Sequence, residues 1–300
     1  MDPVYHIPAL LNETIQGLAI KPDGVYVDVT FGGGGHSRAI LTQMSAAGRN
    51  GSGKLYSFDQ DADSLRNKID DNRWHFVHSN FRYLSQWMDY YGEQQIDGLL
   101  ADLGVSFHHF DEAERGFSFR FDGPLDMRMN QQAGRTAAEI VNTYNEEALA
   151  RVLYIYGELK NSRAIARKLI SARQQRPIDT TGRLAELLSG QKKELTCVFQ
   201  ALRIEVNDEL GALREMLVAA RDLLRPGGRI AILTYHSLED RIVKNFLRAG
   251  NIEGTIEKDF YGNILTPFRL IEKGLSAGEE EVNRNPRARS AKLRVAEKIG

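Results

Sequence analysis

Read for the spacing of its apolar positions, the chain changes rhythm twice. Short β-branched runs at 25–29, 54–58, 74–78 and 96–101 alternate with helix-period segments at 37–47, 61–70 and 81–91, after a leading helix over 8–18. Strands that alternate with helices predict a parallel sheet with right-handed crossovers. From about 103 to 206 the strand pattern stops. Residues 103–134, rich in Gly, Asp, Phe and Arg, predict irregular backbone, and amphipathic helices follow. Thr136 and Glu139 form a capping box ahead of Ile140, and Asn145 caps the helix that opens EEALARVLYIY. Further helices fit 160–174, 181–190 and 195–206, with Pro177 separating two of them. The alternation then resumes with a helix over 208–224 ending in Leu-Arg-Pro-Gly-Gly, a strand over 229–234 and a helix over 238–249. Two β-rich segments, 268–272 and 291–297, predict a closing antiparallel pair.

The pattern therefore predicts an α/β domain, 1–104 and 207–300, interrupted between its fourth and fifth strands by an all-helical insert, 105–206. Open α/β sheets bind ligands beyond the carboxyl ends of their strands, near the reversal of strand order. An insert grown from the end of the fourth strand would overhang such a site.

The first strand leads into the densest chemical signal, VYVDVTFGGGGH at 25–36. Strand, glycine turn and helix in that order are the opening of a nucleotide-binding unit, with the helix N-terminus offering free N–H groups. The dinucleotide fingerprint is not met: from Gly32 the third glycine position is Ser37, and from Gly33 it is Arg38. Asp59 closes the second strand, where an acid either receives both ribose hydroxyls of a nucleoside or caps the next turn. Asp102 ends the fourth strand and is either a carboxylate at the ligand edge or a turn cap. GRNGSGKL at 48–55 mimics a phosphate loop, but Leu55 stands where magnesium needs a hydroxyl and the loop precedes a strand, which excludes an NTPase.

Composition narrows the classes further. The 300 residues carry a net charge of −1 and a single cysteine, Cys197, which excludes a disulfide framework and a thiolate metal site. The seven histidines show no helical pair at metal spacing, so no catalytic metal is expected. No apolar run is long enough to span a bilayer, and the N-terminus lacks a basic lead into an apolar stretch; a cytoplasmic protein is expected. Basic charge is local: Arg284, Arg287, Arg289, Lys292 and Arg294 follow the acidic run Glu279–Glu281, as a phosphate clamp or as a solvated tail. Arg115, Phe117, Phe119, Arg120 and Arg128 could stack bases and hold phosphates, or anchor a loop to its own domain. His236 leaves the fifth strand at the same edge as Asp102, a candidate for substrate contact beside Arg241; Ser237 and Asp240 form a cap-like pair.

Nine strings occur in order from His6 to Glu297: HIPALLNETIQGL, TFGGGGHS, ADLGVS, ERGFSFR, DGPLDMRM, FQALRIEVNDEL, LRPGGR, HSLEDRIVK and NPRARSAKLR. Together they resemble the bacterial small-subunit ribosomal RNA cytosine-N4 methyltransferases, the RsmH (MraW) family. The resemblance implies a class I methyltransferase fold with a mainly parallel seven-stranded sheet and a helical insert. It implies S-adenosylmethionine as donor and a decoding-centre cytidine of 16S rRNA, on the small ribosomal subunit, as target. It puts donor binding on Gly34, Gly35, His36, Asp59, Phe81, Asp102 and His109, with Asp102 also the candidate for catalysis. A homodimer is compatible with it. The chain departs from the family where Cys197 replaces an arginine ahead of FQALRI, and where Phe107, His108 and His109 replace a Ser-Pro-Gln-like run. Competing with this reading are a non-catalytic ribosome-binding factor that keeps a nucleoside pocket and a nucleotide-dependent oxidoreductase.

Overall fold

A computed structural model describes residues 8–45, 52–105, 112–188 and 192–300. They fall into two units, Met1–Gly104 with Leu210–Gly300, and Val105–Glu209. The second boundary lies three residues beyond the 206 read from the sequence, because the last helix of the second unit runs on to Asn207.

The first unit is built on β1 (Val25–Asp28), β2 (Lys54–Asp59), β3 (Trp74–His78), β4 (Ile96–Asp102) and β5 (Leu224–Thr234), with α1 (Leu11–Leu18), α2 (Gly35–Ser45) and α3 (Leu84–Tyr91) among them. The sheet order is β3-β2-β1-β4-β5, all parallel, extended antiparallel by β9 (Lys292–Lys298) and then β8 (Phe268–Ser276). A seven-stranded sheet with this order and one reversed strand, β9, is the class I methyltransferase fold. The order reverses between β1 and β4, so the ligand edge is the shared carboxyl end of those strands. Strand β4 is buried at every position but the last, as a central parallel strand covered on both faces must be.

The two-residue period of the strands divides the core. Leu99, Ala101, Ile230 and Ile232 face one side, with Met88 and residues of α9 (Glu209–Leu223) and α10 (Ser237–Ala249) such as Met216 and Phe246. Leu100, Ala231 and Leu233 face the other, with Leu18, Ile40 and Met44.

The second unit packs α4 (Ala137–Thr143), α5 (Glu146–Ile155), α6 (Ser162–Gln175), α7 (Thr181–Leu187) and α8 (Lys192–Asn207) around Ile140, Leu153, Ile165, Leu169, Val198 and Leu202. The box between Thr136 and Glu139 forms in both directions, and the Asn145 side chain accepts the Ala148 N–H at 2.8 Å.

Three expectations are corrected. The helix over 61–70 is a short 3₁₀ turn, Ala62–Asn67. Asn67 donates its side-chain amide to Gly32 O at 2.9 Å and its carbonyl receives Arg38, so long-range bonds end the helix that the local pattern favours. Strand β5 begins at Leu224, not 229: the Pro-Gly-Gly read as a helix end lies within it, opposite a register shift in β4. The cap of α10 is His236, whose Nδ1 faces the Glu239 N–H at 3.4 Å; Ser237 is the first helical residue. A small hairpin of β6 (Glu257–Lys258) and β7 (Ile264–Leu265) and a helix α11 (Glu279–Arg284) went unread in the sequence.

Candidate active site

Strand β1 delivers Asp28, fully buried, to the switch in strand order. Its Oδ1 accepts the Thr30 N–H at 3.0 Å and its Oδ2 accepts the Ser37 hydroxyl at 2.6 Å. Asp28 thus ties the strand end to the first turn of α2. Thr30 in turn accepts the Asp102 N–H at 2.6 Å, which locks β1 to the end of β4.

The glycine turn is held from the neighbouring strand. Asp59 Oδ2 accepts the Gly32 N–H at 2.8 Å and Oδ1 accepts the Asp61 N–H at 2.9 Å. Each carboxylate oxygen keeps further acceptor capacity. Gly32 is left-handed (φ 49°), and a Cβ there would meet nothing closer than 3.9 Å, so the space over it is open. Gly34 and Gly35 are glycines for internal reasons as well: added Cβ atoms would lie 2.9 Å from the Phe31 ring and 2.4 Å from Pro8. The N-terminus of α2 starts at Gly35 and has no acidic residue of its own in the first turn.

Asp102 completes the group. Tyr235, the first residue after β5, donates its hydroxyl to Asp102 Oδ1 at 2.7 Å. Oδ2 lies 3.6 Å from Nδ1 of the buried His36. The carboxyl is pushed up to about 7, by burial first, with Asp28 and Glu239 adding to the rise and the Tyr235 hydroxyl opposing it. Burial likewise raises Asp28 and Asp59 to about 6. Among the described residues no lysine or arginine is ion-paired with any of these three acids. Three carboxyls thus lie at one sheet edge, raised by burial and unpaired with lysine or arginine among the described residues.

The other residues singled out in the sequence fall into several settings. Phe81 is half-buried at the 3₁₀ turn that leads into α3 and packs against the core of the first unit. His236 is half-buried, with Nε2 3.2 Å from Glu239 Oε1, and is engaged as a cap. Arg241, Arg284, Arg287 and Arg289 are exposed. His109 lies outside the described residues. The basic run near the C-terminus divides: Arg294 is buried and bidentate to Asp240 at 2.7 and 3.0 Å, so it is a structural ion pair.

In the second unit the aromatic-basic cluster turns inward, which corrects Arg115 and Phe117 as base or phosphate contacts in this conformation. Arg115 is 3% exposed and donates to the carbonyls of Arg128 and Met129, while Phe117 is 4% exposed in the core. A buried guanidinium is retained there because it satisfies loop carbonyls that would otherwise lack donors. Arg128 is half-buried in a bidentate pair with Asp126, both bonds at 2.8 Å. Phe119 is half-buried edge-on to Phe199. What the sequence reading missed is Asp28, Thr30 and Tyr235. Asp28 ends β1 and the other two follow strand ends at the same edge, and that position was the available signal.

The MraW methylase family model matches residues 3–299. A protein of Parabacteroides distasonis named ribosomal RNA small subunit methyltransferase H is 59% identical over 99% of both chains. Proteins of the same name from Phocaeicola vulgatus and Porphyromonas gingivalis are 57% and 56% identical, the first over 98% of both chains, the second over 99% of this chain and 98% of its own.

Proposed function

Since the chain belongs to the MraW methylase family, we propose that it transfers a methyl group from S-adenosylmethionine to the exocyclic N4 of a cytidine in the decoding centre of 16S rRNA. The observation that carries this is the set of uncompensated carboxyls Asp28, Asp59 and Asp102 at the switch in strand order. A sulfonium nucleoside brings positive charge to such a site, whereas the pyrophosphate of a nicotinamide cofactor would be repelled by it. That electrostatic sign separates this reading from the oxidoreductase.

The residues present suit the donor. Asp59 has acceptor capacity for two ribose hydroxyls beyond its bonds to Gly32 and Asp61. The start of α2, with Gly34, Gly35 and His36, suits the carboxylate of the methionine end. Phe81 offers an aromatic face for the adenine. When bound, S-adenosylmethionine supplies a methyl group already activated by the sulfonium, which leaves a metal no required task.

The chain's own contribution is positioning and charge. The cytosine amine is a weak nucleophile because its lone pair is delocalised, so it must be held in line and close. The target base leaves its stack to enter. Asp102 accepts an N–H of that amine, which draws it toward the reactive pyramidal geometry and stabilises the positive charge developing on nitrogen. The same carboxylate, near neutrality in its titration, takes the surplus proton from the methylated amine.

RNA contact is supported by exposed cations. Arg284, Arg287 and Arg289 are exposed on the first unit. On the second unit, Lys160, Arg163, Arg167, Lys168, Arg173 and Arg176 occur with no acid between Glu158 and Asp179. Lys160, Arg163 and Lys168 are exposed and have no ion-pair partner among the described residues. Such surfaces bind phosphate backbones irrespective of sequence.

The deciding experiment is mass spectrometry of 16S rRNA from cells with and without the protein, together with transfer of labelled methyl to small subunits lacking the mark. An N4-methylcytidine that disappears with the gene and returns in vitro is expected. An unchanged modification profile with no transfer contradicts the proposal and favours the non-catalytic ribosome-binding factor.

A further inference from the structure

We infer that Tyr235 is a positioning residue for methyl transfer, holding Asp102 by one carboxylate oxygen so that the other is presented toward the glycine turn. The inference rests on the role proposed above for Asp102.

The geometry fixes Tyr235 from several sides. Its backbone follows Thr234 directly out of β5, where Leu233 O receives the Leu103 N–H at 3.0 Å beside Asp102. Its N–H donates to Glu239 Oε2 at 2.9 Å. Its ring lies along Gly104, where a Cβ would come within 3.4 Å of it and where the backbone is left-handed (φ 104°). A side chain at 104 would be strained and would press on the ring. From this seat the hydroxyl reaches Asp102 Oδ1 at 2.7 Å, while Oδ2 stays on the side of His36, the residue that follows the glycines.

The hydroxyl also sets the charge of Asp102. The groups that face this carboxyl are Asp28 from β1, Glu239 from α10, His36 from α2 and Tyr235 itself. Asp28 and Glu239 disfavour ionisation, as does burial; the Tyr235 hydrogen bond favours it. The phenol cannot compete for the negative charge, because burial and the adjacent Asp102 push its own ionisation well above the ordinary range. Tyr235 therefore serves as a fixed donor, and the ionised Asp102 it supports is the form that either the donor's ammonium or the target amine requires.

The test uses the full-length protein with aspartate carbonyl carbons labelled in the side chain, and follows the Asp102 carboxyl by ¹³C NMR, the Asp102→Asn variant identifying its resonance. In Tyr235→Phe the Asp102 titration midpoint moves up by about one pH unit, the loss of one hydrogen bond to the charged form. The acidic limb of the methyl-transfer rate moves with it, so the variant is slowed about fivefold at pH 7 and recovers most of its rate at pH 9. Combined with Asp102→Asn, the tyrosine substitution adds no further loss. An unmoved midpoint, a loss equal at every pH, or a full additional loss in the double variant overturns the inference. If wild-type protein titrates as expected yet transfers no methyl to small subunits, the function proposed above fails while the link between Tyr235 and Asp102 stands.

Discussion

The parallel and antiparallel halves of the same sheet treat their acids in opposite ways. At the carboxyl ends of β1, β2 and β4, Asp28, Asp59 and Asp102 carry raised pKa values and, among the described residues, no lysine or arginine partner. At β5, β9 and β8, Asp240 of α10 is paired with Arg294 and Lys292 of β9, and Glu297 of β9 with Arg229 and Arg269; both carboxyls are held below the ordinary range. The paired acids complete their electrostatics within the fold. The unpaired ones leave it incomplete, a contrast that the cationic ligand proposed above would account for.

Removing one partner on the paired side has the largest effect. Arg294→Met leaves Asp240 with its exposed neighbour Lys292 only, and a loss of about 3 kcal/mol in urea unfolding is expected. A loss below about 1 kcal/mol would erase the contrast between the two halves. On the unpaired side, Asp59→Asn keeps one of the two turn contacts and weakens S-adenosylmethionine binding by about 1–3 kcal/mol in calorimetry, since hydrogen bonds to a charged acceptor are lost. Unchanged affinity in a folded variant removes Asp59 from the site.

The pH dependence of stability carries the sign of the contrast. Asp28, Asp59 and Asp102 bind protons more tightly in the folded state than in the unfolded chain. Folding therefore takes up protons between the unfolded value near 4 and the folded values of about 6 to 7, and this contribution to stability falls as pH rises through that window. Asp102→Asn flattens the fall, so the variant is about 2–3 kcal/mol more stable relative to wild type at pH 8 than at pH 4.5. A steeper fall in the variant contradicts the assignment. The smallest effect concerns RNA: Arg163→Glu with Lys168→Glu lowers the slope of log affinity against log salt by about 1–2, with donor binding unchanged. An unaltered slope removes that face from RNA contact.

The parallel sheet and the capped helices were readable in the sequence because their determinants are local. Thr136 with Glu139, Asn145 and the β-branched runs each act within a few residues. The placement of Asp59 and Asp102 at the ends of β2 and β4 was readable because the apolar runs before them stop there. The elements misread depend on partners far along the chain. Asn67 is recruited by Gly32, and residues 62–67 tighten to 3₁₀ in place of a helix. Arg115 and Phe117 look like an RNA-facing pair until the loop carbonyls of Arg128 and Met129 claim the guanidinium. Tyr235 gains its meaning only from the register that sets the end of β5 beside Asp102, a separation of 133 residues.

The charge of the ligand is best tested by calorimetric titration of the wild-type protein with S-adenosylmethionine at pH 5.5, 6.5 and 7.5, in buffers of different ionisation enthalpy. Affinity is expected to rise at least about tenfold across that range, with protons released on binding as the three carboxyls give up their raised pKa values. Affinity that is flat with pH and releases no proton, or tighter binding of a pyrophosphate dinucleotide in the same titration, would contradict a site made for a cationic nucleoside.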